Sequence, residues 1–234
     1  MRGEALLAVL QLSDSAFPSG RYTLSHGLET FAHEGLLETP CAPDTLAALL
    51  GDYIRFGVAP SDGIALACAH RTVGADGDVD TERLVHIDRR LSAVKLAREG
   101  REASARTGRA LLAAAPAVAG VRMQGYLDLL EIGHAPGNHA VVLGLLSALL
   151  GIPPLGAVTG ELSAFSTGWV AAAVRLGLTD HLSAQSVLRR VHPVLLKAAE
   201  RAVAGDVDDI SSCTPLPDLM SMRHEHAELR MFSS

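Results

Sequence analysis

Apolar positions recur along most of this chain at three- and four-residue steps, the spacing of one face of a helix rather than the alternation of a half-buried strand. Between residues 44 and 57, Leu46, Leu49, Leu50, Tyr53 and Ile54 form one stripe. Between 81 and 115, Leu84, Ile87, Leu91 and Val94 repeat in the same way, with Asp80 or Thr81 placed to cap the helix and Glu82 in its first turn. Residues 138–151 are apolar nearly all round, which predicts a buried central helix between Asn138 as N-cap and Gly151 as stop. Segment 157–178 is rich in small Ala and Gly with a single Trp, and 182–204 is amphipathic, interrupted at Pro193.

Gly and Pro punctuate these segments. Breaks are read at Pro18-Ser19-Gly20, Thr39-Pro40, Ala59-Pro60-Ser61-Asp62-Gly63, Gly74 to Asp80, Pro136-Gly137-Asn138, Pro153-Pro154 and Gly205-Asp206. No Asn-Gly or Asp-Gly hairpin turn stands between alternating runs. The pattern therefore predicts an all-α, single-domain multi-helix bundle over residues 1–234, with no sheet. At the usual helix length of about eleven residues it holds roughly eight to ten helices. The last stretch, from Thr214, carries Pro215 and Pro217, a mixed-charge segment and then Met231-Phe232. It reads as a final helix or as an arm that orders on a partner.

Composition sharpens this picture. The 234 residues are 48% hydrophobic but only 4% aromatic, so the core is built from Leu, Ala, Val and Ile, which suits close helix packing. The formal charge is −6, with 18 Arg and two Lys, so there is no basic excess to grip nucleic acid. Cys41, Cys68 and Cys213 are odd in number and widely spaced, which fits a reducing compartment better than a disulfide framework or a zinc knuckle. No stretch of about 18 apolar residues is free of charge, and the apolar run near the start is short for a signal peptide. The expectation is a cytoplasmic protein that neither spans a membrane nor binds nucleic acid.

The chemistry absent from the sequence is as informative. Neither Lys95 nor Lys197 is followed by Ser or Thr after a Gly-rich turn, so the chain carries no phosphate-cradling P-loop. There is no GxGxxG after a strand, no GxSxG and no HExxH. Ser25 and His26 are neighbours in sequence, and adjacent helical side chains point apart, so they make a poor nucleophile and base. His224 and His226, with Glu225 and Glu228, offer a weak metal site at best, because two imidazoles two residues apart on a helix diverge by about 200°. His26 and His33, and His134 and His139, also lack the count and spacing of a committed site. Arg98 to Arg109 alternates in sign, with Arg98–Glu102 and Glu102–Arg106 at i,i+4, which reads as a solvated helix face or a surface for an acidic partner.

One stretch carries an identifiable pattern: QLSDSAFPSGRYTLSHGLE, Gln11 to Glu29. It is followed by the charged run with Arg98, Glu99, Arg101, Gly108 and Arg109, then His139-Ala140-Val141-Val142-Leu143-Gly144, then Ala172-Ala173-Val174-Arg175-Leu176 with Thr179-Asp180. Ser221-Met222-Arg223-His224-Glu225, with Arg230 and Phe232, closes the series. In order and spacing this resembles the urease accessory protein family UreF, over essentially the whole chain. Three positions depart from the family pattern: Leu24 stands for an aromatic, Arg21 for a small residue and Glu228 for a Tyr.

The resemblance implies an all-α homodimer that is not an enzyme and holds no cofactor. It implies a chaperone seated between a UreD (UreH)-type protein on apo-urease and the GTPase UreG, coupling GTP hydrolysis to nickel insertion. It implies docking through an N-terminal segment, 1–30, and a C-terminal arm, 212–234. The partner-binding residues expected on this basis are Ser13, Phe17, Pro18, Gly20, Tyr22, Ser25 and Glu29 in the first segment. Arg98, Glu99 and Arg101 belong to the charged run, and Arg223, His224, Glu225, Arg230 and Phe232 to the arm. Two other readings compete. One is a metallochaperone holding nickel through His224, His226 and nearby carboxylates. The other is a helical enzyme or regulator using Ser25 and His26 on a small molecule.

Overall fold

The computed structural model describes residues 3–121 and 123–233. Among these the α-helices are α1 (Gly3–Ser13), α2 (Leu28–His33), α3 (Pro43–Asp52), α4 (Ile64–His70), α5 (Thr81–Val94), α6 (Arg98–Ala119), α7 (Gln124–Glu131), α8 (His139–Leu149), α9 (Pro154–Arg175), α10 (His181–Ala204) and α11 (Pro215–His224). Two short 3-10 turns sit at Arg21–Thr23 and Val207–Asp209. No strand forms among the described residues; Val73 and Val79 make one isolated bridge where 74–80 turns back. The all-α expectation holds. Because α3 and α4 are the two ends of one continuous rod, the eleven α-helices make ten rods, within the expected range.

The apolar helix α8 lies at the centre as its pattern predicts, with Ala140, Val141, Val142 and Leu146 fully enclosed. Helices α4 and α6 pack along it, α9 and α10 close the bundle, and α3 lies against α10. Small residues set how near these rods come. A Cβ on Gly144 of α8 would stand 2.3 Å from the Leu66 carbonyl oxygen of α4, and one on Gly108 of α6 would stand 2.0 Å from the Gly137 carbonyl oxygen. Neither approach tolerates a side chain.

The sequence reading needs correction at three places. Ala59 to Gly63 does not break the chain. Tyr53–Gly63 forms a π-helical stretch that joins α3 to α4 straight through Pro60. Pro60 has no N–H to give the helical ladder, and the stretch around it is tied from outside: the Phe56 carbonyl accepts the Cys213 N–H at 2.8 Å and the Pro60 carbonyl accepts the Ser211 N–H at 3.1 Å. The Ser61 hydroxyl donates to the Gly57 carbonyl at 2.7 Å. Tertiary hydrogen bonds thus brace the helix around its proline.

Likewise α10 runs unbroken through Pro193. Conversely, the pattern between 81 and 115 is two helices, turning at Lys95–Ala97. The Arg101 guanidinium holds that corner, donating to the Lys95 and Leu96 carbonyls at 2.7 Å each. Asp80 does cap α5, accepting from Arg83 N–H at 3.0 Å.

Asn138 stands at the N-cap position of α8 but caps nothing; its amide donates to Asp88 at 2.7 Å and to Ser92 at 2.7 Å. Asp88 is fully buried and also accepts from Tyr126 Oη and the Gly137 and Asn138 N–H groups. Four donors make that carboxylate tolerable inside the core. No described helix is long and apolar enough to cross a membrane.

Candidate functional site

The opening motif folds as a chain of tight turns between α1 and α2. Gly20, His26 and Gly27 all have positive φ, at 78°, 54° and 81°. At Gly27 two demands coincide. The backbone is left-handed, and a Cβ would lie 2.9 Å from Ser221 Oγ and 3.1 Å from the Pro217 carbonyl of α11. The first motif and the last helix are therefore in backbone contact.

Behind Gly27 the two ends of the chain are clasped by charge. His224, the last residue of α11, sits between two carboxylates: its Nε2 is 2.9 Å from Glu29 of α2 and its Nδ1 is 2.7 Å from Glu99 of α6. His224 and Glu29 are each 1% exposed. The remaining lone pairs are also used. Arg230 donates to Glu99 at 2.6 Å, Met231 N–H to Glu29 at 2.7 Å and Phe232 N–H to Glu29 at 3.1 Å. Burial pushes the Glu29 carboxyl upward, but the Met231 N–H, the His224 ring and the Phe232 N–H outweigh it, and the group titrates below its ordinary value.

The start of α6 has no side-chain cap of its own, since Ala97 stands at that position. Glu225 reaches across from the arm instead, accepting the Glu99 N–H at 3.2 Å and pairing with Arg98 at 3.4 Å. It puts a carboxylate on the positive end of that helix. Beyond it, Phe232 is buried beneath the Arg175 guanidinium, which stands 4.3 Å from its ring centre and 4.1 Å from that of Tyr22. Ser233 N–H then donates to the Thr23 carbonyl at 2.8 Å.

Next to the clasp is a cavity of about 170 Å³ whose lining includes Arg21, His26, Asp62, Lys95, His139 and Glu161. Arg21 makes a two-pronged pair with Glu161 of α9, at 2.6 and 2.9 Å, and its Nη1 lies 3.2 Å from His139 Nε2. Lys95 pairs with Asp62 at 2.6 Å. Burial alone would raise the Glu161 carboxyl, yet the Arg21 charge and the His139 hydrogen bond bring it down to about 2. Burial, helped by the positive charge of Arg21, lowers His26 to about 4, and its ring packs on Phe165 at 4.7 Å. The departure from the family pattern at Arg21 is thus one half of a partly buried ion pair.

The His26 ring is held against Phe165 and stays neutral at physiological pH, and Ser25 is buried beside it. His224 is consumed between two carboxylates while His226 points to solvent. Among the described residues no group of three or more His, Cys, Asp or Glu is arranged to hold a metal ion.

Of the residues singled out from the sequence, Tyr22, Glu29, Arg98, Glu99, His224, Glu225, Arg230 and Phe232 meet at this one seam. Ser25, Glu29, Glu99, His224 and Phe232 are buried, so in this conformation they face their own chain. Ser13 and Phe17 are half-buried and Pro18, Gly20 and Tyr22 are exposed along the turn. Arg223 is exposed and paired with Glu34; Arg101 stands apart at the corner before α6.

Sequence reasoning missed Asp62, Lys95, His139 and Glu161 as a set. The available signal was a lone charge inside otherwise apolar helical spacing, as at Glu161.

Comparison with known proteins covers the same ground. The family model UreF matches residues 41–192, which hold Glu99 of the clasp but neither Glu29 nor the C-terminal arm. Over 232 residues the chain is 32% identical to the urease accessory protein UreF of Trichodesmium erythraeum, covering 97% of this chain and 96% of that protein. It is 32% identical over 229 residues to the urease accessory protein UreF of Paenarthrobacter aurescens, with 97% of each covered. The urease accessory protein UreF 2 of Brucella abortus (strain 2308) is 30% identical over 230 residues, 97% of this chain and 91% of that one.

Proposed function

We propose, from the fact that this chain belongs to the UreF family of urease accessory proteins, that it is a non-catalytic scaffold of urease maturation. It joins a UreD-type protein bound to apo-urease with the GTPase UreG, and biases the nucleotide state of UreG so that hydrolysis is coupled to nickel insertion. It works in the cytoplasm as a homodimer. The observation that carries this reading is the docked arm. The end segments that the family resemblance assigns to partner contact are held together by Glu29, Glu99 and His224 into one continuous face. Exposed Tyr22, Arg98, Arg223 and Arg230 ring that face. Aromatic and arginine side chains around a formed surface are the usual anchors of a protein interface. No nucleotide chemistry is asked of this chain, which has no P-loop.

A scaffold can bias UreG only by binding one nucleotide state more tightly than another. The test is light scattering on a sizing column, with this chain, its cognate UreD-type protein and UreG, in GDP or a non-hydrolysable GTP analogue. The expected result is a co-eluting dimeric assembly whose composition changes with the nucleotide. Arg223→Glu is expected to weaken retention of the UreD-type protein while leaving the helical content intact. A monomer that ignores both partners overturns the proposal, and unchanged retention by Arg223→Glu removes that residue from the interface.

A further inference from the structure

On the side of the bundle where the π-helical stretch lies against α10, two helix-interior prolines, Pro60 and Pro193, line one groove of about 390 Å³. Its floor is apolar, and its rim carries Arg55, Lys197 and Arg201. No carboxylate lines it. Arg55 leans on Asp52 at 3.5 Å, an exposed pair of little strength. Among the described residues neither Lys197 nor Arg201 makes an ion pair, and Glu200, on the same helix, lies outside the lining.

Lys197 and Arg201 are four residues apart on one helical face, a like-charge spacing that disfavours the isolated helix. In a chain of net charge −6, three cations line a single apolar channel, and only Arg55 among them has an ion-pair partner in the described residues. The run from Pro193 to Ala202 spans roughly 14 Å, about two and a half helical turns.

We infer that this groove is a docking site for an acidic amphipathic segment of a partner protein, its apolar side on the proline-lined floor and its carboxylates on Arg55, Lys197 and Arg201. Charge complementarity selects the acidic occupant, and the apolar floor selects one with an apolar face. The surface is separate from the clasp and does not rest on the reading given above for that face.

The probe is a fluorescent amphipathic peptide of about fifteen residues with leucines along one face and glutamates along the other. It is titrated into the full chain by anisotropy at low and physiological salt. The expected result is binding that weakens with salt and falls at least about tenfold in Lys197→Glu/Arg201→Glu, two exposed positions whose change leaves the circular dichroism spectrum unaltered. The same peptide with lysines in place of glutamates is expected to bind the double variant better than the native chain. Arg55→Glu gives an independent loss should the double variant fold poorly. Equal affinity for native and variant chains, or no binding of the acidic peptide at low salt, overturns the inference. So does binding of phosphatidylserine vesicles in place of the peptide, or a dimer that dissolves on Lys197→Glu/Arg201→Glu, since these assign the groove to a lipid surface or to a second copy.

Discussion

The His224 ring meets the Glu29 carboxylate at 2.9 Å although 195 residues separate them in sequence. Both groups are inside the protein, and the contact is one of those that hold the C-terminal arm to the first motif. A buried carboxylate is stable only while its hydrogen bonds are made. Those of Glu29 come from the arm itself, through His224 and the Met231 and Phe232 N–H groups. Docking of the arm and burial of Glu29 are therefore one event.

It follows that His224→Ala loosens the arm before it loosens the bundle. Leaving the two carboxylates short of a donor costs about 1–3 kcal/mol, and local opening of the arm relieves that cost without unfolding α8 or α9. The Met231 and Phe232 amides are expected to exchange about five- to a hundredfold faster, with a fall in Tm of only a few degrees. His224→Gln, which keeps a donor for one carboxylate, is expected to recover part of the protection. Hydrogen exchange read by NMR decides it. Unchanged exchange at both amides would show that Phe232 packing under Arg175, not the charge clasp, holds the arm.

A second prediction concerns glycines that look alike in sequence. Gly108 and Gly125 both lie inside helices, α6 and α7. A Cβ at Gly108 meets the Gly137 carbonyl oxygen at 2.0 Å and the His139 nitrogen at 2.8 Å, whereas a Cβ at Gly125 meets nothing within 4 Å. Gly108→Ala is expected to cost about 2 kcal/mol or more, because backbone must move and the Asp88 network at Gly137 and Asn138 moves with it. Gly125→Ala is expected to stabilise by up to about 1 kcal/mol through helix propensity alone. Urea midpoints of the two variants, on opposite sides of the native value, are the check.

These cases show where sequence carries the structure and where it does not. The stripe of Leu84, Ile87 and Leu91, and the all-round apolar run of α8, specify their helices locally, so periodicity finds them. Pro60 and Pro193 mislead for the same reason. The rule that proline ends a helix is local, but the helix around Pro60 is braced by Ser211 and Cys213, which only the fold brings near. The candidate site divides likewise. Spacing places Glu99 on a helix and leaves His224 on a final helix or an arm, but nothing local distinguishes a buried Glu99 from the exposed Glu102 beside Arg98. The alternating charges of that run read as one solvated face, and the arm selects one of them for burial.

The last prediction is an acid sensitivity with two separable windows. His26 is lowered from 6.5 to about 4, first by burial and then by the charge of Arg21. Lys95 also disfavours its protonation, while Asp62 and Glu161 oppose these effects. The unfolded chain therefore takes up a proton at His26 between pH 6.5 and 4 that the folded chain refuses. Stability is fully present above 6.5 and falls as the pH drops toward 4, by about 2 kcal/mol at pH 5.

Glu161, with its carboxyl brought down to about 2, contributes stability that is present above the ordinary carboxylate value of 4.5 and is lost as the pH falls toward 2. Glu29 is shifted in the same direction and adds to that lower window. His26→Asn suits the position, because Asn tolerates the left-handed backbone at φ 54°. It is expected to flatten the loss between pH 6.5 and 5 while leaving the lower limb in place. Glu161→Gln is expected to do the reverse, at a cost in stability at pH 7 from the unpaired Arg21. Urea unfolding followed by circular dichroism across this pH range separates them. A His26→Asn profile that still falls between pH 6.5 and 5 would place the upper window on another group.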